Sequence, residues 1–236
     1  MQDQDLIFLK DCSNEQLKSL IDIVVYDKDG KPRYTESLSD TQQFCENYPN
    51  NIKALIPQIV NEIQLYGGNS IVNKLRGHGV PYREVLEDVC KRLKVNFNKK
   101  LATPLLETEL LRKVAVTAVE KMSEEDIKKF DNDLDKSKLM NAVLSDKGSA
   151  LMTIVAVIVA QFSRQAAIKG GIMLFGRLIA PRFLLLAVPA INVIAALWAV
   201  VDIASPAYRV TIPFTIMTAF IRRQLTTQCD IDNLFE

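Results

Sequence analysis

Apolar residues recur at helical spacing along the first 147 residues of the chain, and beyond that point they cover whole segments. In the segment 52–63 the apolar positions are separated by three or four residues, as on one face of an α-helix. The strict alternation that is typical of a half-buried strand is absent from the sequence. The pattern predicts an all-α protein, with an amphipathic N-terminal helical region followed by a hydrophobic C-terminal helical bundle or hairpin.

Capping residues indicate where these helices begin and end. Ser13, with Gln16 three residues later, predicts a capping box that opens an amphipathic helix. Asn50 or Asn51 is predicted to cap the helix over 52–63, and the pair Gly67-Gly68 to end it with backbone of positive φ. The helices are therefore expected to be short and separated by tight turns.

Beyond residue 147 the apolar positions no longer form a stripe. Residues 148–221 contain five basic residues and one acid, whereas residues 1–147 contain 22 basic and 24 acidic residues. A helix that is apolar on every face is buried either in protein or in lipid. The change predicts two regions, 1–147 (with a possible sub-boundary near 35–50) and 148–236, and the candidate apolar helices are 151–162, 172–179, 183–201 and 206–221. Pro213 is predicted to kink the last of them.

The longest of these apolar segments is the strongest candidate for a helix that crosses a membrane. Residues 183–201 carry no charge and, at about 1.5 Å per helical residue, just reach across a hydrocarbon core of roughly 30 Å. Pro189 and Asn192 interrupt the segment, and a spanning hairpin would carry its basic connection outside, against the positive-inside rule. A simple spanning hairpin is disfavoured. Two alternatives stay open: a buried protein core, or peripheral membrane contact through residues that are membrane- or partner-facing, namely Arg164, Lys169, Arg177, Arg182 and Arg209.

Composition excludes several classes of protein. The net charge is +1, so the chain carries no field suited to nucleic acid, and no nucleic-acid partner is expected. The four cysteines form no C-x-x-C pair and the single histidine lies far from them, which predicts neither a metal site nor a disulfide framework. The N-terminus lacks the apolar core of a signal peptide. We expect a cytoplasmic protein without a cofactor, with contact to the inner membrane as the open alternative.

Glycine and charge are concentrated in the segment 67–79, which contains the only histidine. Its spacing matches neither a P-loop nor a dinucleotide-binding turn, and no strand precedes it. It is either a tight helix-loop-helix corner or an anion- or partner-binding site. The candidate residues of that site are Asn69, Asn73, Lys74, Arg76, His78, Tyr82 and Arg83. His78 alone has no partner in a recognisable catalytic motif, so an enzyme that uses His78 is only a remote alternative.

This segment also carries a family resemblance. The chain resembles the uncharacterised bacterial YaaW-like proteins, and the residues that carry the likeness are 68–71, 73–79, Tyr82-Arg83, 5–9, 12–13, 29–31 and 205–213. Members of this family are often described as related to ubiquinol–cytochrome c chaperones. The resemblance therefore implies a helical assembly-factor fold, and it brings no catalytic residues to this chain.

Taken together, these patterns predict a non-enzymatic protein that works by binding. Its apolar C-terminal helices are expected to dock on a membrane or on a protein partner. The alternative is a soluble assembly chaperone or scaffold, and a homo-oligomer is also open.

Overall fold

The N-terminal part of the chain folds into short helices, as the helical spacing predicts. The computed structural model describes residues 3–27, 30–33, 38–67, 79–128, 132–145, 149–162 and 207–232. A 3₁₀ helix, Gln4–Asp11, comes first, and α1 (Asn14–Val25) and α2 (Gln42–Asn47) follow it. A 3₁₀ turn, Ile52–Leu55, leads directly into α3 (Ile56–Tyr66).

The remaining described elements are longer on average. They are α4 (Tyr82–Arg92), α5 (Thr103–Lys121), α6 (Glu124–Lys128), α7 (Lys136–Leu144), α8 (Ser149–Phe162) and α9 (Tyr208–Asp232). Within the described ranges the extended pairing is limited to one bridge between Tyr26 and Pro32. The all-α prediction is confirmed, whereas the arrangement of an N-terminal region and a C-terminal bundle stays a prediction.

Helix α9 lies at the centre of the described fold. Every residue from Val210 to Ile221 is buried, because α1, α3, α4, α5 and α8 all pack around this helix. This segment therefore lies in the protein interior, which is one of the two environments predicted for a helix that is apolar on every face. The helix continues through Pro213. The candidate helices 172–179 and 183–201 lie outside the described residues.

Helix α8 extends the same core. Its residues Leu151, Val155 and Val159 are buried, and the helix packs against α5, α7 and α9. Apolar residues from beyond position 147 thus share a core with helices that precede it. The division of the chain at 147 stays a prediction. None of the helices within the described ranges is long and apolar enough to cross a membrane.

The capping box predicted at Ser13 is confirmed, and Ser123 caps a second helix. The Ser13 hydroxyl accepts a hydrogen bond from the Gln16 backbone N–H at 3.2 Å, and the Gln16 side chain accepts one from the Ser13 N–H at 2.9 Å. Ser123 likewise accepts a hydrogen bond from the Asp126 N–H at 3.1 Å. Each of these caps depends only on residues three positions apart, so local sequence is sufficient to predict it.

One other boundary, and the backbone conformation at another, differ from the prediction. Asn51 precedes the 3₁₀ turn without a side-chain cap hydrogen bond, and its amide nitrogen donates to Asn47 Oδ1. The α-helix begins only at Ile56, with Pro57 in its first turn. Gly67 ends α3 in extended backbone with φ −75°, not in the left-handed region. Glycine is needed there for space: a Cβ would lie 2.4 Å from Val85 Cγ2.

Candidate functional site

The structure describes only part of the candidate binding site predicted from the sequence. Tyr82 and Arg83 lie at the start of α4, and Arg209 lies exposed at the start of α9. The other candidates lie outside the described residues: Asn69, Asn73, Lys74, Arg76, His78, Arg164, Lys169, Arg177 and Arg182. An anion or partner site on the glycine-rich segment therefore stays a prediction.

Tyr82 is fully buried, and both its hydroxyl and its backbone N–H donate hydrogen bonds. Its hydroxyl donates a hydrogen bond to Glu107 Oε1 at 2.8 Å, and its backbone N–H donates to the Asp3 carboxylate at 2.7 Å. Burial raises the pKa of the phenol well above its ordinary value, and the neighbouring Glu107 carboxylate raises it further. Tyr82 therefore acts as a neutral donor within the core.

Arg83 holds the connection between α4 and α5. Its Nε pairs with Glu87 at 2.9 Å, one turn along the same helix, and a terminal nitrogen donates to the Lys99 carbonyl at 3.0 Å. The second terminal nitrogen approaches the Thr103 hydroxyl at 3.4 Å. These three contacts occupy most of the guanidinium edge, which fixes the loop ahead of α5.

A buried ion pair lies beside Tyr82. Glu107 on α5 is 2% exposed, and its Oε2 accepts a hydrogen bond from Arg222 Nε on α9 at 2.5 Å. Burial raises the pKa of the Glu107 carboxyl, and the charge of Arg222 and the hydrogen bonds from Arg222 and Tyr82 oppose that rise. The carboxylate thus has both a cationic and a neutral donor, as a buried charge requires.

Arg222 connects this pair to the N-terminal 3₁₀ helix. One terminal nitrogen of its guanidinium donates to the Asp5 carbonyl, and its Cζ lies 3.9 Å from the centre of the Phe8 ring. At the start of the same 3₁₀ helix, the Asp3 carboxylate also accepts from Gln64 Nε2 at 2.8 Å. The N-terminal 3₁₀ helix is therefore tied to α3, α4 and α9 by charged hydrogen bonds.

Sequence reasoning missed Glu107 and Arg222. The signal for Glu107 is present in the sequence, because the buried face of α5 includes Thr103, Glu107, Leu110 and Val114, so that a carboxylate interrupts an apolar stripe. A charge on such a stripe predicts a buried partner, without saying which one. Arg222 is 115 positions away along the chain, and only the tertiary fold brings the two together.

The outer side of the N-terminal 3₁₀ helix forms one wall of an open groove of about 950 Å³. Helix α3 forms the other wall. The two walls are antiparallel, because Asp3 is bonded to Gln64 at one end and the Lys53 ammonium donates to the Lys10 carbonyl, at 3.0 Å, at the other. The remaining lining is Gln4, Asp5, Leu6, Ile7, Ile56, Pro57, Val60, Asn61, Gly79 and Pro81.

The surface of this groove is mostly apolar. Ile7 is 37% exposed, and the half-buried side chains of Ile56 and Val60 lie one helical turn apart on α3. Lys10 and Lys53 are exposed at one end of the groove. We call this site the 3₁₀–α3 groove. No group of three or more metal-ligating side chains lies together within the described residues.

Comparison with known proteins places relatives along nearly the whole chain. A domain of unknown function, DUF3944, matches residues 1–34, which include the 3₁₀ helix and α1. A UPF0174 protein of Helicobacter pylori (strain J99) is 34% identical over 231 residues, which covers 93% of this chain and 91% of the relative. The UPF0174 protein YaaW of Escherichia coli (strain K12) is 33% identical over 239 residues, which covers 96% of each. No solved structure matches the chain.

The relatives support the family expected from the sequence, but not the chaperone relation expected with it. The names and organisms of these relatives support the YaaW-like resemblance and the bacterial origin of the family. Those names do not mention a ubiquinol–cytochrome c chaperone. The chaperone relation therefore stays a prediction from resemblance.

Proposed function

The chain belongs to the UPF0174 family, and we propose that it works by binding a segment of another protein in the 3₁₀–α3 groove, without catalysis. The observation that carries the proposal is the open apolar surface between two helices whose ends are held together. Grooves of this kind accept the apolar face of a partner segment. The proposal keeps the partner-binding half of the sequence hypothesis and moves it to the N-terminal half of the chain.

The contrast between the groove and the buried cluster supports this choice. Tyr82, Glu107 and Arg222 form a buried polar cluster, yet each makes its hydrogen bonds to the others and to the backbone. A general acid or base must reach a substrate proton within about 3 Å, and these groups face into the core. Ile7, Ile56 and Val60, by contrast, present their side chains at the surface.

The other functions considered from the sequence have less support. Membrane docking through basic residues between the apolar helices rests on residues outside the described ranges, as does an enzyme that uses His78. A soluble assembly chaperone or scaffold is compatible with the groove, because such a protein also holds a client segment. We therefore propose binding of a protein segment in general, which includes a chaperone or scaffold that holds its client in this groove.

In-cell photo-crosslinking tests the proposal. A photoreactive phenylalanine analogue replaces Ile7 in the groove or, as a matched control, Leu144 on α7, which is 51% exposed and does not line the groove. We expect a discrete protein adduct from position 7 and none from position 144. The adduct should disappear when Val60→Asp is added, because a carboxylate in the groove opposes apolar contact.

Three results would count against the proposal. Equal adducts from both positions would mean non-specific contact, and an adduct of the chain with itself would replace the proposal with a homo-oligomer. Sedimentation of the protein with anionic lipid vesicles, unaffected by Val60→Asp and without a protein adduct at position 7, would favour the membrane hypothesis instead.

A further inference from the structure

The two ends of the 3₁₀–α3 groove differ in available charge. At one end the Asp3 carboxylate is already occupied by the Gln64 amide, the Tyr82 N–H and the Asp5 N–H. At the other end the Lys53 ammonium donates one of its three possible hydrogen bonds to the Lys10 carbonyl. Within the described part of the chain, the Lys10 ammonium makes no hydrogen bond or ion pair. The groove therefore offers positive charge at one end, whereas the carboxylates of Asp3 and Asp5 lie toward the other.

The same charges are well placed for the N-terminal 3₁₀ helix. Asp5 lies in its first turn and Lys10 in its last, where each opposes the partial charge of the helix end. The arrangement therefore stabilises the wall of the groove, and it also leaves two exposed ammonium groups beside an apolar floor. A ligand that covers this floor lies next to both.

The length of the groove indicates the size of its occupant. Lys53 and Gln64 mark its ends and are 11 positions apart, which corresponds to about 17 Å at roughly 1.5 Å per helical residue. A third helix of about three turns spans this distance and can place its apolar face against Ile7, Ile56 and Val60.

We infer that the groove binds a short amphipathic helix of a partner protein that carries acidic residues at the end which lies beside Lys10 and Lys53. This inference rests on the proposed function and names the chemistry of the partner. Opposite charge at this end adds affinity and fixes the direction in which the helix lies. A basic flank would instead meet like charge.

Peptide titration tests the inference with the full-length protein. Three 12-residue helical peptides share one leucine-rich apolar face and differ only at the first two residues, which are Glu-Glu, Gln-Gln or Lys-Lys. Their affinities are measured by isothermal titration calorimetry at low salt, for the wild type, for Lys10→Glu and for the control Lys100→Glu. Lys100 is exposed and lies outside the groove.

The wild type is expected to bind the Glu-Glu peptide about threefold to tenfold more tightly than the Lys-Lys peptide, because two exposed ion pairs are gained. Lys10→Glu should reduce or invert this ratio, whereas Lys100→Glu should preserve it. The comparison of ratios between proteins cancels any difference in helicity between the free peptides. The preference should also weaken at 0.5 M salt.

The possible failures are distinguishable. If none of the peptides binds the wild type, or if Ile7→Asp leaves their binding unchanged, the groove is not a helix-binding site and the proposed function falls with the inference. If all three bind with equal affinity and Ile7→Asp abolishes binding, the groove binds apolar helices and only the acidic preference is overturned.

Discussion

The N-terminal 3₁₀ helix has two sides that behave in opposite ways. On the inner side, Leu6 and Leu9 are buried, and the ring of Phe8 lies under Arg222. On the outer side, the neighbouring residues Ile7 and Lys10 are exposed along the 3₁₀–α3 groove. One short helix thus contributes both to the buried polar network around Glu107 and to the 3₁₀–α3 groove.

The difference shows where binding capacity can remain in a small helical fold. A buried charge is tolerated only when its hydrogen bonds are satisfied, so Glu107, Arg222 and Tyr82 have little left to offer a ligand. An exposed apolar side chain needs no hydrogen-bond partner, so its surface can contact a ligand without a comparable desolvation cost. The inner side of the helix therefore gives the wall its position, and the outer side can bind.

The largest expected effect comes from breaking the inner network. Glu107→Ala removes the shared acceptor and leaves the Arg222 guanidinium and the Tyr82 hydroxyl without it. Loss of one partner from a buried pair typically costs about 3 to 5 kcal/mol of the free energy of unfolding. Urea denaturation followed by circular dichroism at pH 7 measures this loss.

Glu109→Ala provides the control for that experiment. Glu109 lies two positions further along α5, and its partner Arg112 is on the same helix and partly exposed. A surface pair of this kind contributes at most about 1 kcal/mol. Equal losses for the two variants would contradict the view that the Glu107 cluster fixes the fold.

The second prediction concerns Gly79, which lies at the end of the groove where Asp3 is bonded to Gln64. A Cβ on Gly79 would lie 2.2 Å from the Gln64 carbonyl carbon, whereas a Cβ on Gly67 would meet the side-chain methyl groups of Val80 and Val85. Gly79→Ala should therefore cost about 1 to 3 kcal/mol, because backbone must shift to make room. Gly67→Ala should cost less in the same urea titration, since side chains adjust more easily. The reverse order would show that α3 and the chain before α4 are not held this closely.

Much of the fold can be predicted from the sequence, because its helices are specified locally. The capping box at Ser13 and the cap at Ser123 require only residues three positions apart. The predicted start of α3 was wrong, because residues 52–55 form a 3₁₀ turn and Asn51 makes no side-chain cap, and spacing alone does not distinguish a 3₁₀ turn from the first turn of an α-helix. The helix ends at Gly67 as predicted, but the positive φ expected there was wrong, since glycine is required by the close approach of Val80 and Val85 and not by the backbone conformation.

The candidate site was much less predictable. Arg83 and Tyr82 were identified from a motif, but their structural partners, Lys99 and Glu107, come from other elements. The groove depends on an antiparallel contact between residues such as Asp3 and Gln64, which lie 61 positions apart. Periodicity identifies the buried face of each helix, and it does not determine which exposed faces lie side by side.

The third prediction concerns the junction at which the N-terminal 3₁₀ helix ends and α1 begins. Ser13→Ala removes the hydroxyl that accepts the Gln16 N–H and should lower the free energy of unfolding by about 1 kcal/mol. Ser13→Asp, which retains a capping oxygen, serves as the control and should restore most of that loss. Thermal melting of the three proteins provides the measurement. An unchanged melting temperature for Ser13→Ala would mean that packing of the inner side alone positions this junction.

The smallest effect on stability is expected on the outer side of the helix, and it separates the two sides most directly. Ile7→Asp places a charge where the side chain is already exposed, so the free energy of unfolding should change by no more than about 0.5 kcal/mol. Leu6→Ala, one residue earlier, should cost about 2 to 5 kcal/mol, because Leu6 is 2% exposed and its removal leaves a cavity. Urea denaturation of both variants tests the difference. If Ile7→Asp proved as destabilising as Leu6→Ala, Ile7 would belong to the core and could not serve as a binding surface. A stable Ile7→Asp variant that has lost peptide binding would instead assign Ile7 to recognition.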